Sequence, residues 1–283
     1  MIASTRAYKI EEVSDEDFLL FSRLILEQSG INLEKSKRAL LNARLGRRVR
    51  LLGLNGFREY FDLLQQNDGE MTHMLDAIST NHTEFFREPA HFEFLLSKFF
   101  PRVQNERSIR ILSAGCSTGE EAYSIALCAH KYFGNAANQK VAVIACDISS
   151  RALSHAKTGV YLADRVRLVP RAMADACLSK VSAEGADYYH VRSEIRGMVD
   201  FQRANLAGPA WFAGHFNAIF CRNVVIYFNP ATQNLLFKKL YDSLQPGGNL
   251  FVGHSESMFR SGLPFKFVQP TVYERLPASG SAS

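Results

Sequence analysis

Ile109-Arg110-Ile111-Leu112-Ser113-Ala114-Gly115-Cys116-Ser117-Thr118-Gly119-Glu120-Glu121, running on into Ala122-Tyr123-Ser124-Ile125-Ala126-Leu127, is the stretch that decides the fold. Its first six residues are β-prone and largely apolar, a turn bracketed by two glycines follows, and the remainder has the apolar spacing of a helix. Strand, glycine turn and helix in series open a parallel α/β sheet, whose ligands lie beyond the carboxyl ends of the strands. The turn is neither Gly-x-Gly-x-x-Gly nor a phosphate loop, since no Gly-Lys-Ser/Thr follows. Glu120 and Glu121 at the helix start would repel a pyrophosphate, so a cationic or zwitterionic nucleoside suits the turn better. Taken alone, the glycines fit a plain tight turn equally well.

Further strand-like runs stand on the C-terminal side. Lys140 to Cys146 ends at Asp147, Val199 to Phe201 leads into Arg203-Ala204-Asn205-Leu206, and Phe216 to Cys221 leads into Arg222-Asn223. Leu244-Gln245-Pro246-Gly247-Gly248 then reads as helix stop and turn before the strand Asn249 to Gly253. Strands alternating with helices predict an α/β fold with a parallel sheet covered on both faces. Asp147 is placed to accept hydrogen bonds from ribose hydroxyls, or to cap the helix starting near Ser149. Asn205 suits an adenine edge or an Asx turn, and Arg222 with Asn223 interrupts an apolar run where a ligand is expected. Ala156 to Arg196 is too long for one crossover and contains β-prone Tyr188 to Arg192, so an insertion is expected there.

On the N-terminal side the pattern is helical. Phe18, Leu19, Phe21, Leu24, Ile25 and Leu26 recur at helix spacing behind a cap at Ser14 or Asp15, and Gly30 stops them. Leu40 to Leu52 and Phe57 to Leu64 repeat the pattern, ending at Gly53 and at Asn67-Asp68-Gly69, which predicts a small bundle of three or four helices. Between Lys35 and Arg50 lie seven cations (Lys35, Lys37, Arg38, Arg44, Arg47, Arg48 and Arg50) and no acid. Arg44, Arg47 and Arg48 can share a helix face. A solvated face, nucleic acid or an acidic protein would each suit such a run.

At 283 residues the chain is long enough for well-buried cores, and 33 Lys and Arg against 28 Asp and Glu give a net charge of +5, too small to name a partner. Five widely spaced cysteines without a CxxC pair fit neither a disulfide framework nor a cysteine zinc site. His82, His91 and His254 lack metal-ligand spacing, so no metal is expected. With no signal peptide pattern and no run of about 18 apolar residues, the expected location is the cytoplasm, without membrane insertion. Pro277 to Ser283 has a linker-like composition and predicts a disordered tail.

The order of these pieces (glycine turn after strand one, acid after strand two, Asn after strand three, a motif after strand four, Leu-x-Pro-Gly-Gly before strand five) resembles a class I S-adenosylmethionine-dependent methyltransferase. With Asn81-His82-Thr83-Glu84-Phe85-Phe86-Arg87-Glu88, Ser117-Thr118-Gly119-Glu120-Glu121, Cys221-Arg222-Asn223-Val224 to Tyr227-Phe228, and Gly253-His254-Ser255-Glu256-Ser257, it resembles the CheR family of chemotaxis receptor methyltransferases from about Asp17 to Tyr273. The resemblance implies a Rossmann-like methyltransferase domain with an inserted antiparallel β-subdomain, preceded by a small all-α domain. Residues 1–76 would be the helical domain, 77–106 a linker contributing to the site, 107–276 the methyltransferase domain with its insertion at about 156–196, and 277–283 the tail.

It further implies S-adenosylmethionine as cofactor, S-adenosylhomocysteine as product, and methyl transfer to the γ-carboxylate of glutamates on the cytoplasmic helical bundle of chemoreceptors. Asn81, Thr83 and Arg87 would close over the cofactor. Glu121 would face its amino-acid end, Asp147 its ribose, and Asn205-Leu206 with Asn223-Val224 its adenine, while Arg87 and Tyr227 match positions associated with activity. The Lys35–Arg50 run then suits the receptor bundle rather than nucleic acid. Only one glycine stands in Ser182 to Asp187, which argues against tethering by a receptor C-terminal pentapeptide, and a monomer is the default. The rival readings are a methyltransferase for another substrate and a non-catalytic adaptor that binds the cofactor or its demethylated product.

Overall fold

Residues 11–183, 185–256 and 262–277 are described in the computed structural model, and the chain divides into two compact units, Met1–Thr80 and Asn81–Ser283. The expected tail falls on residues 278–283, outside the described residues, apart from Pro277. No helix among the described residues is long and apolar enough to cross a membrane.

The first unit holds α1 (Asp15–Ser29), a 3-10 turn (Lys35–Lys37), α2 (Arg38–Leu51), α3 (Phe57–Leu64) and α4 (Asp68–Ile78). Ser14 caps α1 by accepting from the Asp17 amide, and Gly30 ends it at φ 76°. Asn67-Asp68-Gly69 is a start as well as a stop, because Asn67 Oδ1 accepts from the Glu70 amide and caps α4. The core gathers Phe18, Phe21, Ile25, Leu41, Leu45, Val49, Tyr60 and Met74, with the Phe21 ring set against Phe57, Tyr60 and Phe61. Leu19 and Leu52, counted in the apolar pattern, lie instead on the surface.

The basic run of α2 does not form one solvated face. Arg44 turns inward to donate to the carbonyls of Ile78 and Ser79 at 2.5 and 2.9 Å, satisfying groups that the end of α4 leaves open. Arg48 turns inward to Glu70, with Nε and Nη2 at 2.9 and 2.5 Å from its two oxygens, and the Tyr60 hydroxyl donates to the same carboxylate at 2.8 Å. Burial pushes the Glu70 carboxyl up, but the bonds from Arg48 and Tyr60 outweigh it and hold the group below the usual carboxylate range. Arg38 pairs with Asp15, so Lys35, Lys37, Arg47 and Arg50 are the exposed cations of the run.

The second unit begins with α5 (Ala90–Phe94), a π-helical turn (Leu95–Phe99) and α6 (Phe100–Val103). The widened turn precedes Pro101, which has no amide to offer the carbonyl four residues back. There follow β1 (Ile109–Ala114), α7 (Glu120–Phe133), α8 (Ala137–Lys140), β2 (Val141–Asp147) and α9 (Ser150–Thr158). The insertion comprises β3 (Val160–Leu162), α10 (Ala163–Val166), α11 (Arg171–Cys177), β4 (Leu178–Ala183), β5 (Ala186–Val191) and α12 (Ser193–Arg196), its strands forming an antiparallel sheet in the order β3-β5-β4. The chain returns through β6 (Val199–Arg203), β7 (Phe216–Cys221), α13 (Pro230–Ser243), β8 (Leu244–Val252), β9 (Phe265–Gln269) and β10 (Val272–Arg275).

The main sheet runs β6-β2-β1-β7-β8-β10-β9, parallel through β8 and antiparallel at β10 and β9. Strand order reverses between β1 and β7, which opens a crevice at their carboxyl ends. Pro246-Gly247-Gly248 is an irregularity inside β8 rather than a turn before it, since pairing with β7 shifts between Phe216 and Ala218. Phe85 and Phe86, ahead of α5, belong to the core of this unit, Phe85 lying edge-on to Tyr161 with ring centroids 5.0 Å apart.

Candidate functional site

The crevice between β1 and β7 is built first by backbone. Gly115 has φ 83°, and a Cβ there would stand 2.2 Å from Val224 Cγ2. A Cβ on Gly119, at φ 96°, would stand 2.8 Å from Ala156 Cβ. The glycines thus let protein pack against the turn as closely as any ligand could. The amides of Gly115 and Cys116 both donate to the Cys146 carbonyl at 2.8 Å, tying the turn to the end of β2.

Asp147 secures the same turn with its side chain. One oxygen accepts from the Ser117 amide at 2.8 Å and the other from the Ser149 amide at 2.9 Å. Ser149, not Asp147, caps α9, accepting from the Ala152 amide. Asn81 approaches from the segment before Phe85, its Nδ2 3.3 Å from Ser149 Oγ.

The two acids of α7 are buried, each with an arginine. Glu120 accepts from Arg165 of α10 and from Thr118 Oγ1 at 2.6 Å. Glu121 accepts from Ser113 Oγ at 2.6 Å and from Arg222 Nη1 at 3.1 Å. Burial pushes the Glu121 carboxyl up, while Arg222 and Ser113 oppose the shift. Arg222, expected to face a ligand, is itself buried. Its Nη2 lies 3.3 Å from Glu88 Oε2 and also donates to the Arg87 carbonyl, because only internal acceptors could satisfy a guanidinium at the end of a fully buried strand.

Arg87 stands half-buried between Phe86 (φ 53°) and Glu88 (φ 58°), with Nη1 3.2 Å from the His82 carbonyl. Thr83 is buried and its carbonyl accepts from Arg165 Nη2 at 2.9 Å. Asn205 Oδ1 accepts from the Ala207 amide at 2.9 Å, which makes the Asx turn, and Leu206 beside it is buried. Asn223 (φ 57°) and Val224 are half-buried, and Tyr227 is half-buried on a 3-10 turn, Val225–Tyr227.

Glu256 was not singled out by sequence reasoning, although its motif was. Its Oε1 accepts from the amides of Val224 and Val225 at 2.9 and 2.8 Å, and its Oε2 from those of Asn223 and Gly253 at 2.9 and 2.8 Å. One buried carboxylate therefore holds three successive residues of the loop leaving β7 and ties them to Gly253. Arg165, hidden in the insertion, and Ser113, inside a strand, were missed as well. Behind Glu88, His91 is buried with Nε2 2.5 Å from Thr271 Oγ1, and burial, then Arg222 and His254, bring its pKa down to about 3. Burial raises the thiols of Cys116 and Cys221 well above their ordinary value, which leaves them small apolar groups rather than nucleophiles.

The polar side chains here are the carboxylates of Glu121 and Asp147, the amides of Asn81, Asn205 and Asn223, and the guanidinium groups of Arg87 and Arg222. The carboxylates and amides suit the ammonium group and ribose hydroxyls of a cationic nucleoside, and the acids at the start of α7 disfavour a pyrophosphate there.

Comparison with known proteins points the same way. Residues 81–273 match the family model described as "CheR methyltransferase, SAM binding domain", and residues 16–79 match "CheR methyltransferase, all-alpha domain". The chain belongs to the CheR methyltransferase family. A chemotaxis protein methyltransferase of Borreliella burgdorferi is 35% identical over 273 residues, covering 93% of this chain and 95% of the relative. Chemotaxis protein methyltransferase 2 of Pseudomonas aeruginosa is 38% identical over 259 residues, covering 91% and 92%, and a chemotaxis protein methyltransferase of Escherichia coli is 36% identical over 264 residues, covering 92% and 91%. This CheR-family chain is an S-adenosylmethionine-dependent methyltransferase with the class I fold, an all-α domain ahead of it and a small antiparallel sheet inserted into it.

Proposed function

We propose that this protein transfers the methyl group of S-adenosylmethionine to the γ-carboxylate of specific glutamates on the cytoplasmic helical bundle of chemoreceptors, acting in the cytoplasm as a protein-glutamate O-methyltransferase. The observation that carries the proposal is that Arg222, at the end of β7, ties both Glu121 of α7 and the Arg87 carbonyl, while Glu256 holds the amides of Asn223, Val224 and Val225 beside it. Domain work divides accordingly: the helical unit recognises the receptor, residues near 77–106 contribute to the site, and the remainder binds cofactor.

Glu121 takes the cofactor's ammonium, Asp147 its ribose hydroxyls, and Asn205-Leu206 with Asn223-Val224 its adenine, while Asn81 and Thr83 close over it. The bound cofactor supplies an electrophilic methyl on a sulfonium that leaves as the neutral thioether of S-adenosylhomocysteine. A glutamate carboxylate is already ionised at pH 7, since its ordinary pKa is about 4.3, and it needs no general base. The chain's part is alignment and desolvation. Arg87 orients the incoming carboxylate, and the Tyr227 hydroxyl positions carboxylate or methyl.

Arg87→Ala is expected to keep cofactor affinity and lose transfer to receptor fragments, read as base-labile label on glutamate. Lost affinity would instead place Arg87 on the cofactor's own carboxylate. Docking rests on Lys35, Lys37, Arg47 and Arg50, the exposed cations of the basic run, facing an acidic region of the receptor bundle. Added salt should weaken receptor methylation much more than cofactor binding, and equal sensitivity would rule out that steering role.

A further inference from the structure

Two successive acids at the start of α7 each hold an arginine, and each arginine reaches the backbone of the same short segment. Glu120 holds Arg165, which donates to the Thr83 carbonyl at 2.9 Å. Glu121 holds Arg222, which donates to the Arg87 carbonyl and faces Glu88 Oε2 at 3.3 Å. The segment between these anchors is strained: Phe86 and Glu88, on either side of Arg87, both have left-handed φ. Ser124 Oγ, one turn into α7, accepts from the Phe86 amide at 3.0 Å, a third tie to the same helix.

Glu120 has no role toward a ligand in this arrangement. Its side chain is fully buried, and its two oxygens are taken by Arg165 and Thr118. Arg165 comes from α10 in the inserted subdomain and Arg222 from the end of β7, so the clamps draw on parts of the chain far apart in sequence.

We infer that Arg165 and Arg222 are positioning residues, paired clamps that fix the Thr83–Glu88 backbone against the first turn of α7 so that Thr83 and Arg87 meet cofactor and substrate in one geometry. Each clamp is a charge-assisted bond to a carbonyl, from the buried Arg222 and the part-exposed Arg165, and the loss of either leaves the strained segment held by the other clamp and the neutral bond from Phe86 to Ser124. The inference rests on the proposed role of Arg87 in methyl transfer.

The experiment uses the full chain with Arg165→Gln, Arg222→Lys and Arg222→Gln, measured in two ways. Amide hydrogen exchange across residues 83–88 should quicken by about tenfold or more in each variant, while the amides of β1 and β2 keep wild-type protection. With saturating cofactor, Arg222→Gln should lower kcat on a receptor fragment by about tenfold or more and Arg222→Lys by less. A uniform rise in exchange over the whole second unit, or wild-type exchange across residues 83–88 in Arg222→Gln, would overturn the clamp. If the wild type does not label the receptor fragment, the proposed substrate fails, and local exchange still decides the clamp.

Discussion

Replacing Glu256 with Gln is the most demanding test of how the loop after β7 is held. The change preserves shape but leaves one acceptor oxygen where there were two, and it puts an NH2 group against two amide donors. Whichever way the new amide turns, two of the four N–H groups from Asn223, Val224, Val225 and Gly253 lose their partner. The residue is 7% exposed, so water does not replace what is lost.

The cost follows from that count. Two orphaned buried donors cost about 1–3 kcal/mol each, and the two that keep a neutral oxygen lose about 1 kcal/mol each of charge assistance, which sums to roughly 4–8 kcal/mol. Partial relaxation of the loop brings the expected loss to about 3 kcal/mol, and for a domain of this size that is a fall of about 6–12 °C in the unfolding midpoint. Thermal and urea unfolding read the loss directly, and calorimetry of cofactor binding by the folded variant should show weaker affinity through Asn223-Val224. A midpoint within about 2 °C of wild type, with unchanged affinity, would refute the idea that this carboxylate holds the loop.

Gly115→Ala should destabilise by at least about 2 kcal/mol in urea unfolding, through left-handed φ and overlap with Val224, and Val224→Ala should recover part of that loss. Arg48→Met leaves the buried Glu70 carboxylate without its partner and should cost about 3–5 kcal/mol at pH 7. Because the folded pKa of Glu70 is depressed, the pair's contribution is fully present above the unfolded carboxyl value of about 4.3 and is lost as pH falls through the lower folded value. The gap between wild type and Arg48→Met, followed by unfolding from pH 7 downward, should therefore close in acid. Ser117→Gly relieves a left-handed serine (φ 52°) and removes a buried hydroxyl that has no hydrogen-bond partner, so the unfolding midpoint should rise.

Much of the second unit was legible because its strands are short apolar runs whose carboxyl ends carry the polar residues of interest: Gly115, Asp147, Asn205 and Asn223. The insertion was visible as a segment too long for one crossover. The hairpin β9–β10 went unread because β9 has no buried face: Phe267 and Val268 are both exposed, so its sequence carries no period-2 alternation. What sequence could not reveal was which charges face inward. Arg44 and Arg47 are separated by three residues on one helix, yet Arg44 caps α4 and Arg47 is exposed, because the open carbonyls of α4 come from elsewhere in the chain. Arg222 was misread for the same reason: its partners, Glu88 and Glu121, are distant in sequence.

A reaction that needs no base must draw its rate from alignment, and alignment asks for a backbone that does not relax. Among the described residues, four of the five non-glycine residues with left-handed φ (Phe86, Glu88, Ser117 and Asn223) lie in the Thr83–Glu88 segment, the turn after β1 and the loop after β7. Each conformation of this kind costs about 1–3 kcal/mol. Each is also tied down: Phe86 by Ser124, the carbonyl before Glu88 by Arg222, Ser117 by Asp147 and Asn223 by Glu256. A hydrogen bond to or from a charged group contributes about 1.5–3 kcal/mol, comparable with the cost of one strained residue, and the neutral bond from Phe86 to Ser124 about 0.5–1.5 kcal/mol. Asp147 and Glu256 therefore hold strained backbone at Ser117 and Asn223, work beyond meeting a cofactor.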